Sequence, residues 1–350
     1  MIRLGVIGFA HGHANAILGE WFREPDKYRV QPVCFWDEND ERAGTALSKY
    51  PKMDRMPSVE ALLASDISAV LITCETALHA EAAIKAAEAG KDIILYKPLA
   101  LTLQETDRIV DAVERNGVRF TMGWQMRTDP QNIRMKEMID GGELGKVCLF
   151  RRRHGLSVHK WDGFENTWHN DPKMNRDIFA DDSAHPINLM QWYFGMPESV
   201  MCEMSTMVNP KVPNDNGVAL FRYPNGMIAE ITLCFTTCAA DPTTEIYFTD
   251  GTVIQRYGDA PGTKLKPREE GLVSYKWGDA DWTPSNIPSP SSQGVRLAAQ
   301  AGPLSEFLHG GVPVCDAKEG RDSLRLVLAC YLSARTGQRV SVFDPRIYDI

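Results

Sequence analysis

Over the first 123 residues, short apolar runs alternate with helical patterns. Residues 2–8, 30–36, 69–73, 93–96 and 119–122 read as strands; 15–22, 40–49, 59–64, 77–89 and 103–115 read as helices. A strand that returns parallel to its neighbour needs a crossover, and a right-handed helical one packs back onto the sheet. This rhythm therefore leaves few folds open beyond a parallel sheet covered on both faces. Ligands of such sheets bind outside the carboxyl ends of the strands, so the residues just after each strand are where chemistry is expected.

The first strand runs into Gly8-Phe9-Ala10-His11-Gly12-His13. In a dinucleotide-binding turn the first glycine permits the bend and the second lets the backbone approach a pyrophosphate. Here Gly8 is kept, Ala10 takes the second place and His13 the third. A ligand-free loop explains those six residues alone; their place between first strand and first helix favours the nucleotide. Asp37 ends the second strand, where an acid meets the adenosine ribose hydroxyls. Glu38-Asn39-Asp40-Glu41 follow, with no basic residue before Arg42. That favours NAD over NADP, although Asp40 is also an ordinary helix start. Further on, residues 92–96 deliver Lys97 and stop at Pro98. Most lysines are surface groups, but one at a strand end in this sheet points into the ligand crevice, and partial desolvation suits it to proton transfer.

After residue 123 the rhythm changes. A helix over 131–139 precedes strands at 146–153, 199–208, 218–223, 227–236 and 244–248. Tyr223-Pro224-Asn225-Gly226 and Asp250-Gly251 mark turns. Residues 258–294, rich in Pro, Gly and Ser, read as long loops, and 322–334 as a helix. The expected fold is α/β. A doubly wound Rossmann domain over 1–123 precedes an α+β domain over 124–350 with an open, mainly antiparallel sheet.

Composition narrows the function. A chain of 350 residues, 43% hydrophobic and 24% charged, suits two globular domains. A net charge of −8 offers no footprint for nucleic acid or an anionic membrane, and Arg151-Arg152-Arg153 is too short to supply one. The eight cysteines form no C-x-x-C pair and read as reduced core residues of a cytoplasmic protein. No secretory leader or membrane-spanning run is read.

Several segments together resemble the glucose–fructose oxidoreductase / inositol dehydrogenase / rhizopine catabolism (Gfo/Idh/MocA) family. They are the Gly-rich start, 72–79, 88–99, 142–147, 221–226 and 333–337. The resemblance implies that Gly8, Ala10, His11, His13, Asp37, Thr73, His79, Tyr96 and Lys97 surround NAD. The family's strand-end motif is Glu-Lys-Pro; this chain has Tyr96 in place of the glutamate. The resemblance also implies a homodimer or homotetramer built through the outer face of the second sheet.

Asp181 and His185 are four residues apart and share a side of any helical turn. They look like the family's Asp-x-x-x-His element, with Asn188 where an acid often follows. A helix cap beside a packed histidine is the plainer account of the same residues. Between Arg151 and Asp177 lie His154, His159, Trp161, Trp168, His169, Asn175 and Arg176, flat rings and multidentate donors of the kind a sugar or polyol needs. The histidines match no tight metal spacing, so no metal is expected. Arg127 is a further substrate candidate, or an exposed helix start. The implied activity is NAD-dependent interconversion of a secondary alcohol and a ketone on a sugar, cyclitol or polyol. In it Lys97 and His185 exchange the proton and Asp181 orients the histidine. Two alternatives remain: an NAD-dependent glycoside hydrolase working by transient oxidation, and a catalytically silent dinucleotide sensor, ranked last because Lys97 and His185 are both present.

Overall fold

The computed structural model describes residues 1–238, 243–256 and 271–350. It comprises two compact units.

The first unit holds Met1–Thr128, Lys173–Asn175 and Arg296–Leu324. Its strands are β1 (Ile2–Ile7), β2 (Val30–Trp36), β3 (Asp54–Arg55), β4 (Ala69–Ile72), β5 (Asp92–Tyr96) and β6 (Phe120–Gly123). All pair in parallel in the order β3-β2-β1-β4-β5-β6. β4 and β6 are buried at every residue, and β4 accordingly reads as an uninterrupted apolar run. The crossovers include α1 (Ala14–Arg23), α2 (Pro25–Tyr28), α3 (Asp40–Lys49), α4 (Val59–Leu63), α5 (His79–Glu88) and α6 (Leu103–Asn116). Their ends follow local chemistry. Asn39, rather than Asp40, caps α3, while Thr102 and Glu105 close a reciprocal capping box on α6. Strand order reverses between β1 and β4, which fixes the ligand crevice at their carboxyl ends.

A helix that the sequence pattern did not reveal, Ala301–Leu308, joins this unit. Trp21 Nε1 donates to Ala301 O at 3.1 Å, and Leu304 and Phe307 enter the same core as Leu18 and Trp21. Gly302 and Pro303 sit in its first turn and mask its period.

The second unit holds Asp129–Pro172, Arg176–Val295 and Arg325–Ile350. It contains α7 (Pro130–Asp140), β7 (Val147–Gly155), α8 (Ile178–Phe194), β8 (Ser199–Ser205), β9 (Asn216–Arg222), β10 (Ile228–Cys234), β11 (Thr244–Phe248), β12 (Gly251–Gln255), β13 (Leu272–Lys276), β14 (Thr283–Pro284) and β15 (Val340–Ser341). The sheet order is β14-β13-β12-β11-β7-β10-β9-β8-β15, antiparallel except where β10 lies parallel to β7. The reading of 258–294 as loops is corrected in part. β13 pairs with β12 over five residues, its alternation hidden by the Pro, Gly and Ser around it. Residues 258–270 of that stretch lie outside the described residues.

Strand alternation separates the three arginines. Arg151 pairs across the sheet with Glu230 on β10 and Glu245 on β11. Arg152 points inward and is fully buried, donating to Thr244 Oγ1 at 2.6 Å and Gln255 Oε1 at 3.3 Å. Burial pushes its pKa down to about 10.

Candidate active site

In the first unit the turn after β1 is built around Gly8. Its φ is +81°, and a Cβ there would lie 2.5 Å from Cys74 Cα, so backbone angle and space both demand glycine. Gly8 N donates to Trp36 O (2.7 Å) and His11 N to Thr73 O (2.9 Å), while Thr73 Oγ1 donates back to Gly8 O. These bonds tie β1, β2 and β4 together at the strand-order switch. This turn fits a dinucleotide: the backbone approaches closely, and α1 follows with its N-terminus at the turn.

Asp37 is buried and accepts from Phe9 N (2.7 Å), Asn39 N (2.8 Å) and the Arg42 guanidinium (3.0 Å). Arg42 also reaches Glu75 at 2.7 Å. The first basic residue of the acidic loop thus folds back and bridges two carboxylates. A cleft of about 340 Å³ opens nearby, lined in part by Trp36, Glu38, Pro57, Cys74 and Leu78.

Tyr96 ends β5 and Lys97 follows it, and both are buried. The Tyr96 ring lies 5.2 Å from the ring of His11 and 5.7 Å from that of His13. Its hydroxyl donates to Gln300 Oε1 at 3.4 Å, and burial raises its pKa far above the usual phenol value, so it stays neutral. His79 sits deeper and has no solvent exposure. Its Nδ1 is 2.8 Å from Pro98 O and its Nε2 3.1 Å from Cys74 O, which links the ends of β5 and β4. Burial pushes its pKa down to about 4. Arg127 donates to Val314 O (3.1 Å) and Glu319 Oε1 (2.9 Å), so it is a buried group and not an exposed helix start. Asn175 Oδ1 accepts from Thr76 Oγ1 at 2.6 Å.

In the second unit the chemistry gathers on α8. Asp177 caps it, accepting from Ala180 N at 3.0 Å, and Pro186 lies inside it. Asp181, Asp182 and His185 fall within its first two turns. Asp181 Oδ2 accepts from His169 Nδ1 at 2.7 Å. The His169 ring stacks on Trp168, with centroids 4.0 Å apart and planes 28° apart, and parallels Phe164 at 6.0 Å. Asp182 stands 3.8 Å from Nε2 of both His185 and His154, each of them buried. Asn188 is buried on the same helix. The structure therefore brings Trp168, His169 and Asp181 together. His159 lies in a separate short turn, Val158–Lys160, and Trp161 follows it: His159 Nε2 lies 3.8 Å from Cys238 Sγ, and Trp161 packs edge-on against Phe164. Among the described residues no group of three or more His, Cys, Asp or Glu is placed to hold a metal ion.

Sequence reasoning missed the Asp181–His169 bond, the place of Asp182 between two histidines, and the Arg42–Glu75 bridge. No local period announces any of them; His169 was visible only as one member of a polar, aromatic stretch.

Residues 2–124 match the oxidoreductase family with an NAD-binding Rossmann fold, and residues 133–254 match the GFO/IDH/MocA C-terminal domain. The chain belongs to the Gfo/Idh/MocA family. It is an NAD-binding oxidoreductase. Levoglucosan dehydrogenase of Pseudarthrobacter phenanthrenivorans is 25% identical over 307 residues, 79% of this chain and 76% of that protein. 1,5-Anhydro-D-fructose reductase of Ensifer adhaerens is 24% identical over 347 residues, 98% of this chain and 99% of that one. Inositol 2-dehydrogenase of Salmonella typhimurium is 30% identical over 159 residues, 44% of each. The solved structure of levoglucosan dehydrogenase in complex with NADH and levoglucosan shares the fold. Its TM-score is 0.84 at 20% identity, covering 98% of this chain and 100% of that one. No helix among the described residues of this Gfo/Idh/MocA member is long and apolar enough to cross a membrane.

Proposed function

We propose that the enzyme interconverts a secondary alcohol and a ketone on a sugar, cyclitol or related polyol. The observation that carries this reading is the hydrogen-bonded Asp181–His169 pair set against the stacked ring of Trp168. A flat aromatic face beside groups that exchange hydrogen bonds with several hydroxyls is what a polyol takes. The names of the relatives, two sugar-derivative enzymes and an inositol dehydrogenase, support the same class.

Bound NAD supplies the hydride acceptor, nicotinamide C4. The turn from Gly8 to His13 would hold its pyrophosphate, and Asp37, whose carboxylate is shared with Arg42, its adenosine ribose. Lys97 and His185 are the acid–base groups: one takes the hydroxyl proton while the other holds the oxygen. Trp168, His169 and Asp181 receive the remaining hydroxyls. Val218 and Leu220 on β9 and Ile228 on β10 are exposed, which supports a homodimer or homotetramer through that sheet. The eight cysteines, none in a disulfide, support a reducing, cytoplasmic setting.

The test is an NADH assay of the purified protein with NAD and a panel of sugars, cyclitols and polyols, and with their keto forms in reverse. Turnover of one member is expected. Release of free sugar without net NADH would replace this reading with the hydrolase, and NAD binding without turnover of any member with the silent sensor.

A further inference from the structure

We propose that Glu75 sets the choice between NAD and NADP, by engaging the guanidinium that would otherwise receive a 2′-phosphate. The inference rests on the proposed binding of the adenosine ribose at Asp37, and it adds the residue that decides which ribose is accepted there.

Arg42 is the first basic residue after the ribose acid, and a free guanidinium at that place is a phosphate site. In the fold it is already taken. Its Nη2 donates to Asp37 Oδ1 at 3.0 Å and its Nη1 to Glu75 Oε1 at 2.7 Å. Both carboxylates are buried, while the arginine side chain between them is 26% exposed. One positive charge thus serves two negative ones, and the group is left net negative. A 2′-phosphate meets repulsion there, and burial of the carboxylates limits its screening by salt.

The two carboxylates have different duties. Asp37 also accepts from Phe9 N and Asn39 N, so it shapes the turn as well as holding Arg42. Glu75 opens the short turn Thr76–Leu78 but makes no capping bond to it. Among the described residues its carboxylate bonds to Arg42 alone, and its Oε2 is buried with no hydrogen-bond partner. A carboxylate buried on one bond is unfavourable as local structure, and its effect falls on the guanidinium. Neutralising Glu75 frees Nη1 while Asp37 still holds Nε and Nη2. Arg42 also lines a pocket of about 310 Å³ with Phe9, Asn39 and Lys49, which leaves room beside the ribose acid for a phosphate.

The test is titration of NADH and of NADPH into the full chain, read by nicotinamide fluorescence. The wild type is expected to prefer NADH. Glu75→Gln should tighten NADPH roughly tenfold, the scale of one charge-assisted hydrogen bond, and move NADH by less than about threefold. Glu75→Asp keeps the charge and should keep most of the preference. Adding Arg42→Gln to Glu75→Gln should abolish the gain, because the guanidinium supplies it. A wild type that prefers NADPH, an unmoved ratio in Glu75→Gln, or a gain that survives loss of Arg42 overturns the proposal. If Glu75→Gln binds neither cofactor, Glu75→Asn is titrated in its place; a second loss of both makes Glu75 a structural residue and overturns it too. Asp37→Ala separates the inference from its premise. A ratio that moves there but not in Glu75→Gln removes the role of Glu75 alone, and one that moves in neither removes the ribose from Asp37.

Discussion

The ring of Tyr96 fills the space in front of Gly123: a Cβ on that glycine would meet Tyr96 Cε2 and Cζ at 2.8 Å. The residue that replaces the family glutamate is therefore packed against backbone, not merely tolerated. Gly123→Ala is expected to destabilise the protein by about 1–3 kcal/mol, the usual cost of overpacking a filled core. In urea unfolding, combining it with Tyr96→Val should recover part of that loss. A single variant as stable as the wild type would show that the ring moves aside at no cost. Tyr96→Phe removes only the 3.4 Å contact with Gln300 and should cost about 1 kcal/mol or less.

His79 predicts an acid-sensitive fold. Unfolded, an imidazole takes a proton near its ordinary value of 6.5; in the folded protein His79 does so only near 4. Between those values the unfolded chain binds more protons, so stability falls as pH falls through that window. The contribution is on the order of 2 kcal/mol between about pH 7 and about pH 5. Denaturant unfolding of wild type and His79→Gln at both values measures it. The wild type should lose more than the variant, and parallel losses would remove His79 as the cause.

Asp37 anchors Arg42, so removing it alters two things where the ribose is proposed to bind. Asp37→Ala deletes a carboxylate that repels a 2′-phosphate and leaves the Arg42 guanidinium, which attracts one, shared with Glu75 alone. A charge-assisted contact is worth about 1.5–3 kcal/mol, so the preference for NADH over NADPH should narrow roughly tenfold or more. Fluorescence titration with both reduced cofactors reads this directly. An unchanged ratio would place cofactor choice elsewhere.

Lys97→Ala and His185→Ala should each lower turnover roughly a hundredfold or more, while NADH affinity changes far less. Steady-state kinetics beside a binding titration separates the two. Near-normal kcat in either variant would take that residue out of the proton chemistry.

The parallel sheet was legible because β1, β4, β5 and β6 lie between covered faces and carry nearly continuous apolar runs. Helix ends were legible where local capping decides them, as at Thr102–Glu105. Ala301–Leu308 escaped because its helicity comes from docking against Trp21, not from its own propensity. The spacing of Asp181 and His185 on one helix was readable. The histidine bonded to Asp181 was not, since His169 arrives from a separate short turn whose path only tertiary packing sets. Arg42 was read as the end of an acidic loop, because five residues of separation do not say that a side chain turns back onto Asp37.

β7 lies between β10 and β11 in the sheet, although the chain makes it long before either. As the protein leaves a ribosome, Val147–Gly155 therefore emerges with both edges bare. One edge waits for residues out to Cys234 and the other for residues out to Phe248, and the parallel join to β10 rules out closing the first gap with a hairpin. The first sheet can complete its six strands from Met1–Thr128 alone, whereas the second has to wait for distant partners. During synthesis this exposed ribbon is the stretch with most reason to engage a chaperone, or to stick to a neighbouring nascent chain.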